Sequence, residues 1–164
     1  MSKTIQVGLS NSSINSAIKE LRRYSAWVQS KEAELRSRLA MLGATVASIQ
    51  FSRAIYNGTN DISVRVDDTG SVAVIYAEGE SVAFIEFGSG IKHGYGHPQA
   101  GEFGFGPGTW SDGDGGKGHW DNPKGWYYGS GQHSYGNPPA MAMWSAVQEI
   151  TENVTRIAKE VFSH

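Results

Sequence analysis

From Ile14 to Tyr56 the chain carries no proline, and its apolar residues fall at helical spacing. Ile14, Ile18, Leu21, Val28, Leu35, Leu39, Leu42, Val46 and Ile49 are separated mostly by steps of three, four or seven, which places them on one face of an α-helix. Forty residues of helix run to about 60 Å at 1.5 Å per residue. A single domain of 164 residues is narrower than that. The pattern therefore predicts a helical segment over 14–56 that either breaks, at Ser25–Ser30 or at Gly43, or projects from the body. Ser12 or Ser13 is expected to cap its start. Asn57-Gly58 is expected to end it, because both residues tolerate left-handed backbone.

The flanking segments read as strands and one further helix. Ile5, Val7 and Leu9 alternate with polar residues, so 1–9 is expected to hold a strand. Ile62, Val64 and Val66 alternate in the same way, Val72–Tyr76 is a more apolar run, and Val82–Phe87 is a third. Asp68-Thr69-Gly70 and Glu78-Gly79-Glu80 supply turns between them, so 62–87 reads as a three-stranded antiparallel meander. Asn137-Pro138-Pro139 reads as a cap followed by proline in a first helical turn. The 138–162 helix then carries Met143, Val147, Ile150, Val154, Ile157 and Val161 at steps of four and three, a stripe expected to pack on the sheet. The expected class is α+β in one domain: long N-terminal helices and a C-terminal helix on a small antiparallel sheet, with a long glycine- and aromatic-rich insert.

That insert, residues 88–136, holds 16 of the 21 glycines and four of the five histidines. Tyr95, Phe103, Phe105, Trp110, Trp120, Trp126, Tyr127, Tyr128 and Tyr135 lie in it. A segment so rich in glycine cannot bury all of these in a core of its own, and large aromatics on adaptable backbone are typical of interaction surfaces. Gly125–Gly129 is its one stretch with strand character and is expected to pair with the edge of the meander.

The insert offers several candidate sites, each incomplete. Asp112-Gly113-Asp114-Gly115-Gly116 resembles the start of a calcium loop, but Lys117 stands where glycine is needed and Pro123 where glutamate is needed. His93 and His97 lie among glycines before Pro98, and His119 and His133 lack the local partners of a zinc hydrolase motif. Gly104-Phe105-Gly106-Pro107-Gly108 has neither the preceding strand nor the lysine ending of a phosphate loop. Ser111 and Ser130 lack a nucleophile-elbow context. Glu86, in the run that enters the insert, is a carboxylate of the kind that can serve as a general acid, but it has no evident partner in the sequence. No catalytic residue, metal or cofactor is expected.

Charge is distributed unevenly. Residues 1–56 carry eight Lys/Arg against three Glu, and residues 57–164 carry six Lys/Arg against thirteen Asp/Glu. Opposite poles of this kind steer copies of a protein onto one another. Arg22, Arg23, Arg36 and Arg38 on the basic half, with the insert aromatics Tyr95, Phe103, Phe105, Trp110, Trp120, Trp126, Tyr127 and Tyr128, are the expected contact residues between subunits. No basic run interleaved with aromatics marks a nucleic-acid footprint. There is no cysteine, which excludes disulfides and thiolate metal sites. No apolar run is long enough to span a membrane, and Met1–Leu9 lacks the parts of a signal peptide, so a soluble chain made in the cytosol is expected.

The ordered set of motifs resembles the phage morphogenesis proteins known as minor capsid or tail-component proteins, which act in the neck of long-tailed phages. The residues that carry the resemblance are Ile5–Leu9, the Ala17-Ile18-Lys19-Glu20-Leu21 helix core, Ala83-Phe84-Ile85-Glu86-Phe87-Gly88-Ser89-Gly90, Trp126-Tyr127-Tyr128 and Asn137–Trp144. The resemblance implies a structural virion protein, assembled in the host bacterial cytoplasm. It implies a homo-oligomeric ring of six copies, or twelve, that joins other neck, connector and tail proteins and lets DNA pass through its lumen. It implies no catalytic residue. Two other readings arise from the same residues: a binding module that uses exposed tryptophans, for example for sugar, and a metal-dependent hydrolase built on the insert histidines.

Overall fold

The computed structural model describes residues 4–56, 58–90, 93, 96–103, 124–127 and 133–163, with the backbone alone for Trp126 and Tyr127. The class is α+β, as the residue pattern implies. Helix α1 spans Asn11–Ser52, β1 Ser63–Asp67, β2 Val74–Glu78, α2 Val82–Phe87, β3 Trp126–Tyr127, β4 His133–Ser134 and α3 Ala142–Phe162. Among the described residues no helix is long and apolar enough to cross a membrane.

α1 is one unbroken helix of 42 residues, about 63 Å long, where the residue pattern left a break or a projection open. Its start is held by Ser10 in extended backbone, whose side chain accepts the Ser13 N–H at 3.3 Å. Ser13 is not the cap; its hydroxyl accepts the Gly8 N–H at 2.7 Å instead. The helix continues through Ser25–Ser30 because that turn is packed: Trp27 stacks on Tyr24 with centroids 5.6 Å apart and meets Phe162 edge-on at 6.0 Å. It ends at Ser52, short of Asn57, where the Asn60 amide donates to the Phe51 carbonyl at 2.8 Å and satisfies one of the orphan acceptors of the last turn.

α3 packs antiparallel along the C-terminal part of α1. Ala142 and Ala146 lie in the core with Ala47 and Phe51, and Arg38 reaches Glu160 at 3.7 Å farther along. The buried face of α1 is not the leucine stripe. It is Ala40, Gly43, Ala47 and Phe51, while Leu35, Leu39, Leu42 and Val46 are half-buried and Ile49 is exposed. Small residues on both helices let the backbones approach closely. At Gly43 an added Cβ would stand 2.6 Å from Ile150 Cδ1 and 2.7 Å from Ile75 Cδ1, so this glycine is where α1, α3 and β2 converge.

The sheet has two strands, not three. β1 and β2 pair antiparallel in the register Ser63↔Glu78 to Asp67↔Val74. Val82–Phe87 forms α2 despite its strand-like composition. A helix of six residues does not stand alone in water; its surroundings select it, with Ile85 1% exposed in the core cluster. Thr4–Gly8 forms no strand, and Val7 and Leu9 are exposed. β3 pairs with β4, in the register Trp126↔Ser134 and Tyr127↔His133, and not with the edge of β1–β2.

Two outcomes follow from this packing. Gly43→Val forces two isoleucines aside in a filled core, so a loss of about 2 kcal/mol in urea unfolding is expected. On the outer face of the sheet, Arg65 donates to Glu78 from Nε at 2.9 Å and from Nη2 at 2.8 Å, and its guanidinium covers the Tyr76 ring at 4.0 Å. These hydrogen bonds hold the Glu78 carboxyl below the usual glutamate range. The contribution is therefore complete above the ordinary glutamate pKa and fades as pH falls through the depressed value. NMR titration is expected to place Glu78 below an ordinary glutamate, and Arg65→Met to return it to the ordinary range.

Candidate functional site

The insert leaves the body at Ser89 and returns at Asn137. The two residues form an antiparallel bridge in which the Ser89 N–H donates to the Asn137 carbonyl at 2.9 Å and the Asn137 N–H to the Ser89 carbonyl at 3.1 Å. The Asn137 side-chain amide adds a bond to the Ser89 hydroxyl at 3.3 Å. Close approach at this base requires glycine. Gly136 has φ +101°, and a Cβ there would run into the Ser89 carbonyl oxygen. Gly88 has φ +79°, and a Cβ there would meet the backbone of Asn137 and Pro139 within 3 Å.

Immediately beside the bridge, α2 and α3 satisfy each other's ends. The Ala140 and Met141 N–H groups donate to the Ile85 and Glu86 carbonyls at 2.7 and 3.2 Å, filling acceptors at the C-terminus of α2. In return the Glu86 carboxylate accepts the Met143 N–H at 2.9 Å and the Trp144 N–H at 3.0 Å, the second and third donors of α3. Asn137 is not the cap of this helix. Asn137 and Pro138 each precede a proline, which disfavours helical backbone for both, and α3 starts only at Ala142. Its N-cap, Met141, has left-handed backbone and gives no side-chain bond. The capping group arrives from a residue 57 positions earlier in the chain.

His97 completes the arrangement. Its Nε2 lies 3.2 Å from Glu86 Oε1, and its Nδ1 accepts the Gln99 N–H at 3.1 Å. Those partners assign the ring the tautomer with its proton on Nε2. The ring meets Phe87 at a tilt with centroids 4.4 Å apart and Trp144 edge-on at 6.0 Å. His97 and Glu86 are both 4% exposed, so the first turns of the insert fold against their own subunit.

This geometry defines what the site can do. Both carboxylate oxygens of Glu86 are committed to backbone amides, and one also to a ring N–H, in a nearly buried position. A buried carboxylate is tolerable there because the helix terminus and its amides favour negative charge. To exchange a proton with a substrate, Glu86 would have to open the start of α3. Among the described residues no group of three or more acidic or histidine side chains could hold a metal. An open groove beside the end of α1, lined by Ser48, Phe51, Ser52, Asn60, Ile62 and Val64, presents no titratable side chain.

The expected contact residues do not share one surface. Arg22 and Arg23 are exposed on α1, with no ion pair among the described residues. Arg36 and Arg38 are engaged within the subunit: Arg36 Nε donates to Asp68 at 2.6 Å, and Arg38 Nη2 to Glu34 at 2.8 Å. Phe103 is 57% exposed, with its ring centroid 5.8 Å from that of Phe87 at the rim of the insert base. Trp126 and Tyr127 lie on β3. Tyr95, Phe105, Trp110, Trp120 and Tyr128 fall outside the described residues, as do the Asp112–Gly116 turn and His119.

Residue spacing missed the roles of His97, Ser89 and Asn137 and the capping by Glu86. One signal was present: a single carboxylate inside an otherwise apolar six-residue run (Val82–Phe87) is stable in a core only if donors surround it. No family model, curated protein or solved structure matches the chain.

Removing the carboxylate leaves two helix-terminal amides and the His97 ring N–H buried without an acceptor. Glu86→Ala is expected to destabilise the protein by about 3–4 kcal/mol. Chemical denaturation checks this, and a loss below about 1 kcal/mol would remove Glu86 from its place in the fold.

Proposed function

We propose that this chain is a structural protein of the neck of a long-tailed phage: a head–tail connector or tail-completion component that forms a ring around the path of the DNA. The observation that carries the proposal is the polarity of the subunit. α1 runs well past the end of α3 and carries exposed apolar and basic residues there, Ile14, Ile18 and Leu21 with Arg22 and Arg23. The acidic excess lies in the other part of the sequence. A closed ring is built from a heterologous contact, in which one patch of a subunit fits a different patch of its neighbour. A basic projecting helix and an acidic body supply two such patches.

The base of the insert supports the same reading. A long excursion clamped at its two ends by the Ser89–Asn137 bridge can vary in its outer part without disturbing the core. Phe103 presents an aromatic surface at its rim. In this reading the insert meets other neck, connector or tail proteins, the role of the chain is assembly rather than catalysis, and its location is the virion after assembly in the host cytoplasm. The resemblance of the Ala83–Gly90 and Asn137–Trp144 motifs to phage neck proteins selects this kind of ring among homo-oligomers.

Electron microscopy of the purified protein, with mass measurement in solution, tests the proposal. Closed rings of six copies, or of twelve, with an open centre are expected. A monomer that persists at high concentration and low salt, or an open filament, contradicts it.

A further inference from the structure

The β1–β2 sheet is open on the far side of β1. Among the described residues β2 is its only strand neighbour, and no backbone group of Ser63–Asp67 bonds to backbone beyond that pair. A pair of strands is marginal by itself, and an open strand edge is a template for one more strand. The groove lined by Ser48, Phe51, Ser52, Asn60, Ile62 and Val64 adjoins this edge. Its lining comes from α1, β1 and the residues just before β1, with none from β2, which puts it on the side of β1 away from β2. Ile62 and Val64 pack on the core, and Ile75, the partner of Val66, reaches Gly43. The apolar face of the strand is therefore the one turned to α1. The groove measures about 390 Å³, the size of a small-ligand site, but it has no titratable side chain to hold a charged ligand. An apolar floor beside an open strand edge suits an extended segment with an apolar side chain at every second position.

Residues 4–9 are such a segment. Ile5, Val7 and Leu9 alternate with Thr4, Gln6 and Gly8. In its own subunit the segment forms no strand, and Val7 is 57% and Leu9 103% exposed. Its own groove is out of reach. Gly8 is held at the start of α1 by its bond to the Ser13 hydroxyl, and unbroken helix separates Ser13 from Ser48 by about 52 Å. Even the near end of the hairpin, where Asp68 meets Arg36, lies about 35 Å along the axis from Ser13. The residues ahead of Gly8, fully extended, span about 25 Å at most. A second copy is under no such limit.

We infer that residues 4–9 of one copy add a strand to the free edge of β1 in a second copy, with Val7 and Leu9 set into the groove against its Phe51, Ile62 and Val64. Main-chain hydrogen bonds along the edge supply affinity, and the alternating apolar side chains fix which face of the segment turns inward. The inference rests on the ring reading and specifies its contact. Each copy gives one segment and receives one, at opposite ends of α1, so the contact is heterologous and can close a ring.

The chain has no cysteine, so Gln6→Cys carries a single thiol, on the face of the segment turned away from the groove. The thiol is labelled with benzophenone-maleimide and irradiated in assemblies mixed from isotopically light and heavy chains. Crosslinks between a light and a heavy chain are expected at residues 48–52 or 60–67. Val7→Asp with Leu9→Asp is expected to weaken assembly at least tenfold. The urea unfolding of the dissociated subunit is expected to stay unchanged, because both side chains are exposed in it. Rings that survive this double substitution, or whose crosslinks fall on residues 4–24 or on α3 of a neighbour, would overturn the inference and leave the ring reading intact. A wild-type chain that stays monomeric would overturn the ring reading and this contact with it.

Discussion

The Glu86 carboxylate holds together three parts of the chain that are far apart in sequence. It sits near the end of a six-residue helix, accepts two amides from the start of α3 and a ring N–H from the first turns of the insert, and is almost fully buried. A charged group in such a place is strongly unfavourable unless every lone pair has a partner. Here the first turn of α3 supplies both the amides and a favourable dipole. The reverse dependence is equally strong. α3 has no side-chain cap of its own, so without Glu86 its second and third amides would be buried donors lacking acceptors. α2 likewise ends on carbonyls of which those of Ile85 and Glu86 are filled by Ala140 and Met141. The two helix ends are each other's caps, and the Ser89–Asn137 bridge lies against that joint.

The residues that were legible were those whose periodicity reports a large element. The proline-free pattern after Ile14 gave α1, and the four-and-three spacing from Met143 to Val161 gave α3. The alternation at Ile62–Val66 and the apolar run that follows gave the β1–β2 hairpin to within two residues. Three features were not legible, for different reasons. The buried face of α1 is made of Ala40, Gly43 and Ala47 rather than its leucines, because close approach of α3 rewards small side chains; hydrophobic periodicity marks the larger stripe. Val82–Phe87 has strand composition and becomes a helix through contacts with α3 and the core, which local propensity does not contain. Asn137-Pro138-Pro139 has the composition of a helix start, yet the start lies at Ala142 and its cap comes from Glu86. A capping group from a distant residue leaves no local signature.

The site was legible only in outline. The glycines at 88 and 136 marked where the insert leaves and rejoins the body, and both are required there by the closeness of the two backbones. That His97 would turn inward was not visible, because its burial depends on Phe87, Trp144 and Glu86 together. Of the four arginines expected at a subunit contact, Arg36 and Arg38 are used inside the subunit. Arg22 and Arg23, on the part of α1 that runs past the end of α3, are exposed. In the proposed ring the joint at Glu86 would matter to assembly as well as to folding, because it anchors both the start of α3 and the base of the insert.

Amide hydrogen exchange at Met143 and Trp144 in the intact protein tests the central claim most directly. Amides at the second and third positions of a helix without a cap have no acceptor within the helix and exchange nearly as fast as in an unfolded peptide. If Glu86 holds the start of α3, these two amides are protected to the same degree as those in the interior of the helix, such as Ile150 and Val154. Exchange of Met143 and Trp144 at the rate of an unstructured chain, with the rest of α3 protected, would contradict the account.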